Sequence, residues 1–236
     1  MDGYSYVAPT IAAQAIPVER AEFIRQTYLH LAVAILGFAL IEFVLVNLPF
    51  AVSLAGMMTG GYMWLVVLGA FMVVSWVADN WAHSETSREL QYVGLGAYVL
   101  AEAIIFLPLL VQATKFASPM VLPISMFMTF ALFLGISAVV FITKTDFSFL
   151  RSTLIVGGFV ALGAIVASLV LGFSLGILFV CVMIFFAAGV ILYSTSQVLH
   201  HYRTDQYVGA SLSLFASIAL LFWYVTRLVM NFSSDD

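Results

Sequence analysis

Residues 150–193 read LRSTLIVGGFVALGAIVASLVLGFSLGILFVCVMIFFAAGVILY. Two apolar runs, at about 152 to 171 and 174 to 193, meet at the short connector LGF. Each run is long enough to cross the ~30 Å hydrocarbon core of a bilayer as a helix. With so little chain between them, the two must form an antiparallel helical hairpin. Strands are a poor reading, because a membrane barrel needs ~10-residue segments of alternating polarity and these runs are continuously apolar. Gly157 and Ala161 stand at small-xxx-small spacing, which allows close helix approach. Working outward, further runs fall at about 27 to 47, 61 to 78, 91 to 112, 120 to 142 and 207 to 229. The pattern predicts an all-α integral membrane protein, a bundle of seven transmembrane helices over 27–229. Residues 1–26 then read as a cytoplasmic tail with no signal-peptide pattern, and 230–236 as a short C-terminal tail. The connectors, NLPFAVSLAGMMTG among them, read as loops with no room for a further domain.

Composition agrees. Of 236 residues, 64% are apolar and 8% charged, against ~45–50% and ~25% in soluble domains. That excludes a water-soluble domain, and eight Lys and Arg with a net charge of −4 exclude a nucleic-acid binder. The single cysteine, Cys181, has no partner for an intramolecular disulfide. Arg20, Arg25, Arg88, Lys144, Arg151 and Arg203 fall on the side of the N-terminus, while Lys115 and Arg227 fall on the other. The positive-inside rule then predicts a cytoplasmic N-terminus and an outside or periplasmic C-terminus. Trp64, Trp76, Trp81 and Trp223 lie toward run ends, as an aromatic belt would place them.

Chemistry is sought in groups that are expensive in hydrocarbon. Two acids lie well inside spans, Glu42 in LGFALIEFVLVN and Glu102 in LGAYVLAEAIIFLPLL. An ionised acid facing lipid costs at least ~2.5 kcal/mol, so each should face the bundle interior or be neutral and hydrogen-bonded. At ~1.5 Å per residue they lie about 22 Å and about 17 Å from the inner surface. A shared site at that depth would be a protonatable pair or a cation site. The alternative is that each acid bonds a neighbouring helix, or that Glu42 reaches the outer interface. Pro108, following Glu102, removes a backbone hydrogen bond and can kink the third span. His30, His83, His200 and His201 read as interfacial histidines, since adjacent histidines point to different helix faces and do not make a two-ligand metal site. No GxSxG, P-loop, HExxH or GxGxxG is read. No cofactor and no enzymatic activity are expected.

The stretch GVILYSTSQVLHHYRTDQYVGASLSLFASIALLFWYVTRLV, residues 189–229, resembles the last two spans of the Bax inhibitor-1 family, also called the transmembrane Bax-inhibitor-motif family, and most of all its YccA-like bacterial members. The loop TKTDFSFLRSTL at 143–154, with Lys144, Asp146 and Phe147, resembles that family's loop between spans four and five, and the charged loop leading into QYVGLGAY also fits. The resemblance implies seven helices with the last one central. In pH-gated members, a Tyr-Asp-Thr-Gln motif in span six and a second Asp in span seven share protons and gate a calcium leak. Here Ser194, between Tyr193 and Thr195, and Ser217, between Ala216 and Ile218, stand at those positions. A serine hydroxyl does not titrate near neutral pH, so that switch does not carry over.

The YccA-like branch implies a regulatory or interaction role in membrane-protein quality control and stress response in a bacterial inner membrane. There the partner is an FtsH-type membrane protease that grasps the cytoplasmic tail. The other reading is a pH-sensitive calcium, cation or proton leak in which Glu42 and Glu102 replace the missing aspartates. The lipid bilayer is the one partner both readings require.

Overall fold

A computed structural model of the chain describes residues 10–84 and 87–233. The outer parts of both expected tails, residues 1–9 and 234–236, lie outside the described residues. Among these residues eight helices follow one another: α1 (Pro17–Val46), α2 (Ala51–Thr59), α3 (Met63–Ala82), α4 (Arg88–Lys115), α5 (Val121–Thr143), α6 (Leu150–Leu171), α7 (Gly176–His200) and α8 (Tyr207–Ser233). All but α2 are long and apolar enough to span a membrane, giving the seven expected spans. Among the described residues there is no strand, only an isolated bridge between Ile11 and Arg203. Large apolar side chains such as Phe127, Ile142 and Phe185, each at least three-quarters exposed, stud the outer faces. That is the surface a bilayer covers, and water would not tolerate so much of it.

Two boundaries differ from the apolar pattern. The apolar run begins at 27, but α1 begins at Pro17, so residues 17–26 are its first turns. Proline suits that position because the first helical N–H groups have no partner in any case, and Glu19 in the first turn complements the helix dipole. Farther along, Glu22 accepts from Arg25 and Gln26 on the exposed side. The second difference is α2, which occupies the connector read as a loop. Its buried Ala51, Ala55 and Met58 fall at helical spacing and face α4.

Two helices are buried, α4 and α8. α4 packs against α1, α2, α3 and α8, and Gly94 permits its close approach to α3, because a methyl group there would run into the Ala82 nitrogen and the Ala78 oxygen. α8 packs against α1, α4, α5 and α7. α6 lies at the periphery on α7, with Ala161 as its buried residue and Phe186 of α7 lying over Gly157. The last helix is thus one of two interior helices, and α6 does not wrap it.

Candidate intramembrane cavity

Because α6 leans mainly on α7, a space of about 1240 Å³ is left between α6 and α7 on one side and α4 and α8 on the other, reaching the ends of α2 and α3. Its lining includes Arg151, Tyr193 and Ser213 toward the face where α6 and α8 begin. Toward the opposite face it includes Gln112, Ser168 and Arg227. Most of the wall is apolar, with the stacked pair Trp64 and Trp223, 6.0 Å between centroids, at the Arg227 end. The Arg227 guanidinium lies 5.8 Å from the Trp223 ring centroid, a cation–π arrangement.

Among the described residues, Glu102 is the one carboxylic acid in that lining. It projects from α4 one turn after Tyr98, its hydrogen-bonding neighbour, and one and a half turns before Pro108, which also lines the space. Pro108 cannot donate to the Ile104 carbonyl, so the α4 ladder is interrupted beside the cavity. Glu42 is buried in α1 but is not among the lining residues, and neither of its carboxyl oxygens has a hydrogen-bond partner. The two acids are therefore not brought together in this cavity.

Ser194 and Ser217 do meet. Their hydroxyls are 2.9 Å apart, buried, and both residues line the cavity. Ser217 Oγ is also 2.7 Å from the Ser213 carbonyl oxygen, which can only accept. The single Ser217 proton goes there, so Ser194 is the donor in the pair. Next to it, Thr195 faces the other way, toward Ser137 of α5 at 3.4 Å.

The 143–154 loop is pinned to the end of α7. Asp146 accepts from the Ser148 N–H at 2.9 Å, from Ser196 Oγ at 3.3 Å and from His201 Nε2 at 2.9 Å, and the Phe147 N–H donates to Ser196 Oγ at 2.8 Å. Desolvation pushes the Asp146 carboxyl up, and the bonds from Ser148 and His201 outweigh it, holding the group at about 2. Lys144 closes α5 in the left-handed conformation at φ 51°. Reading the two histidines as interfacial missed the His201 contact, which joins residues far apart in sequence. His30 likewise has a specific place, its ring 4.9 Å from that of Tyr207 while the Arg88 guanidinium stands over Tyr207.

Motif reading also passed over one spelling. Residues 172–176, GFSLG, match GxSxG. In a nucleophile elbow that serine sits at a sharp turn from strand to helix. Here Ser174 lies exposed in the turn between α6 and α7, and Gly172 and Gly176 carry the positive φ of that turn. The spelling marks a helix hairpin. Among the described residues no three His, Cys, Asp or Glu side chains converge as metal ligands.

The model of a family described as inhibitor of apoptosis-promoting Bax1 matches residues 20–234. An uncharacterised protein of Pseudomonas aeruginosa is 36% identical over 110 residues, 46% of this chain and 49% of that protein. An uncharacterised membrane protein of Vibrio cholerae is 29% identical over 121 residues, 50% of this chain and 53% of its own length. An uncharacterised protein of Neisseria meningitidis is 29% identical over 115 residues, 46% and 48% of the two chains. The chain spans about half the length of the curated relatives it matches.

Proposed function

The chain belongs to the Bax inhibitor-1 family, and from that premise we propose that it is a non-enzymatic membrane protein providing a pH-sensitive leak path for calcium, another cation or protons along the cavity beside Glu102. One observation carries this reading: the cavity extends from Arg151 at one end of the bundle to Arg227 at the other, with a single carboxylic acid in its wall among the described residues. An acid in a largely apolar passage is the group that attracts a cation and answers to pH. Glu42, away from the passage, is a structural residue in this reading.

The test is flux of calcium and of protons in liposomes holding the purified protein, read between about pH 5 and 8, where a buried carboxyl titrates. Glu102→Gln is expected to remove the pH dependence, and Glu42→Gln to leave it in place. A flat response from well-folded wild type would set conduction aside.

The second reading is modulation of an FtsH-type protease from a bacterial inner membrane, with the N-terminus cytoplasmic. The Ser194–Ser217 bond supports it, because two hydroxyls with their protons committed give no titrating gate. Against easy capture of the tail, Ala12 N–H donates to the Tyr202 carbonyl and Thr204 N–H to the Thr10 carbonyl. A protease pulling on the tail would first peel that strap from the α7–α8 connection. Co-purification with such a protease, with and without the strap residues, tests this reading.

A further inference from the structure

His83 caps the end of α3, and its ring occupies the space over Gly209 of α8, where a Cβ would lie 2.7 Å from the imidazole Cδ2. Nδ1 is 2.9 Å from the Asp79 carbonyl oxygen and 3.3 Å from its Oδ1. A carbonyl only accepts, so Nδ1 carries a proton whether the ring is neutral or charged. On the other side of the ring, Nε2 is 3.0 Å from the Tyr202 hydroxyl, and that hydroxyl is 2.7 Å from Ser213 Oγ. Ser213 lines the cavity.

These distances form an unbroken chain from a surface to the cavity wall. The solvent end is open: the His83 side chain is 28% exposed and that of Asp79 52%. The middle is partly buried. Polarity follows from the Nδ1 proton. With His83 neutral, Nε2 accepts from Tyr202 and Tyr202 accepts from Ser213, so every proton in the chain points away from the cavity. With Nε2 protonated, His83 donates to Tyr202, Tyr202 donates to Ser213, and the Ser213 proton turns into the cavity.

We propose that Asp79, His83, Tyr202 and Ser213 are a proton-relay site that takes protons from solvent at the end of α3 and delivers them to the cavity. This deepens the leak reading and rests on its assignment of Glu102 as the acid of the cavity. In one transfer the Nε2 proton passes to the Tyr202 oxygen, the Tyr202 proton passes to Ser213 Oγ, and the Ser213 proton passes to water in the cavity that Glu102 also lines. One N–H and two O–H bonds break, three O–H bonds form, and the ring is left neutral with its Nδ1–H intact.

The electrostatics suit the task. Burial pushes the His83 imidazole down, but the hydrogen bonds and charge of Asp79 more than offset it and hold the ring above its ordinary value. Burial pushes the Tyr202 phenol up to about 12, so it remains a neutral hydroxyl able to donate and accept. The groups around the relay are Asp79 on α3, Tyr98 on α4 facing Asp79, Tyr193 on α7 facing Tyr202, and Gly209 with Ser213 on α8.

The experiment is a proton jump on the full chain in lipid nanodiscs, with infrared detection of the Glu102 carboxyl band assigned by its loss in Glu102→Gln. Tyr202→Phe and Ser213→Ala are each expected to slow the protonation of Glu102 at least about tenfold, given the rate effect of a positioned proton carrier, while leaving the final amplitude unchanged. A packing role would alter amplitude or thermal midpoint and spare the rate. Rates in both variants within twofold of wild type overturn the relay. So does a wild-type Glu102 band that fails to respond. Tyr202-dependent protonation without any liposome flux overturns the leak alone, and flux indifferent to Tyr202 and Ser213 overturns the relay alone.

Discussion

Ser217 and Ser194 are unequal partners. Ser217 gives its proton to the Ser213 carbonyl and accepts from Ser194. Ser217→Ala therefore strands the buried Ser194 hydroxyl, and should lower stability by about 1–3 kcal/mol. Ser194→Ala leaves Ser217 its carbonyl and should cost less, an order that thermal unfolding in detergent will check. Asp146 makes the pH prediction. Its carboxyl is held at about 2, below the ordinary 3.8, so its contribution is complete above the ordinary value and is lost as pH falls toward the folded one. The protection factor of the Phe147 amide should fall over that acidic window, and in Asp146→Asn it should already be reduced at neutral pH. At this scale the sequence, through family resemblance, pointed to Ser194, Ser217 and Asp146. It held nothing about who bonds whom, because His201 and Asp146 are brought together only by the packing of α5 and α7.

Among the helices, tight and loose faces of α4 lie two residues apart. A methyl at Gly94 collides with the α3 backbone, while Gly96 has nothing near its Cβ position. Gly94→Ala should thus destabilise by about 1–3 kcal/mol or more through overpacking. Gly96→Ala should be neutral or stabilise by up to about 1 kcal/mol, and denaturation of the two variants side by side decides it. Seven of the eight helices were legible because a span announces itself by length and apolarity. α2 was not. Nine residues beside a Pro and a Gly read as a loop, and such a short helix depends on its seat against α4 more than on its own propensity.

For the whole molecule, hydropathy does not rank the spans by depth in the bundle, since lipid and protein interior are equally apolar to a side chain. Buried polar residues do not rank them either: Glu42 lies on α1, Ser125, Thr129 and Ser137 on α5, and Ser194, Thr195 and Ser196 on α7, beside Glu102 on α4 and Ser211, Ser217 and Thr226 on α8. Which spans are interior is set by their packing partners and is not legible span by span. The peripheral α6 leaves the cavity open along its side. Ile165→Trp, on the cavity wall, should reduce flux severalfold, whereas Phe159→Trp, on a face 71% exposed, should not. Liposome assays of both variants at equal reconstitution will tell them apart.

The strap at residues 10–12 has a consequence in time. A ribosome makes this segment before all seven spans, yet its hydrogen-bonding partners, the Tyr202 carbonyl and the Thr204 amide, follow the sixth. Every span but the last must be synthesised before those partners emerge. Docking of the strap therefore waits for six spans to be made. Since it fastens the backbone of Tyr202, whose hydroxyl reaches both His83 and Ser213, the wire to the cavity is strung only after the sixth span, and a nascent bundle is insulated until then.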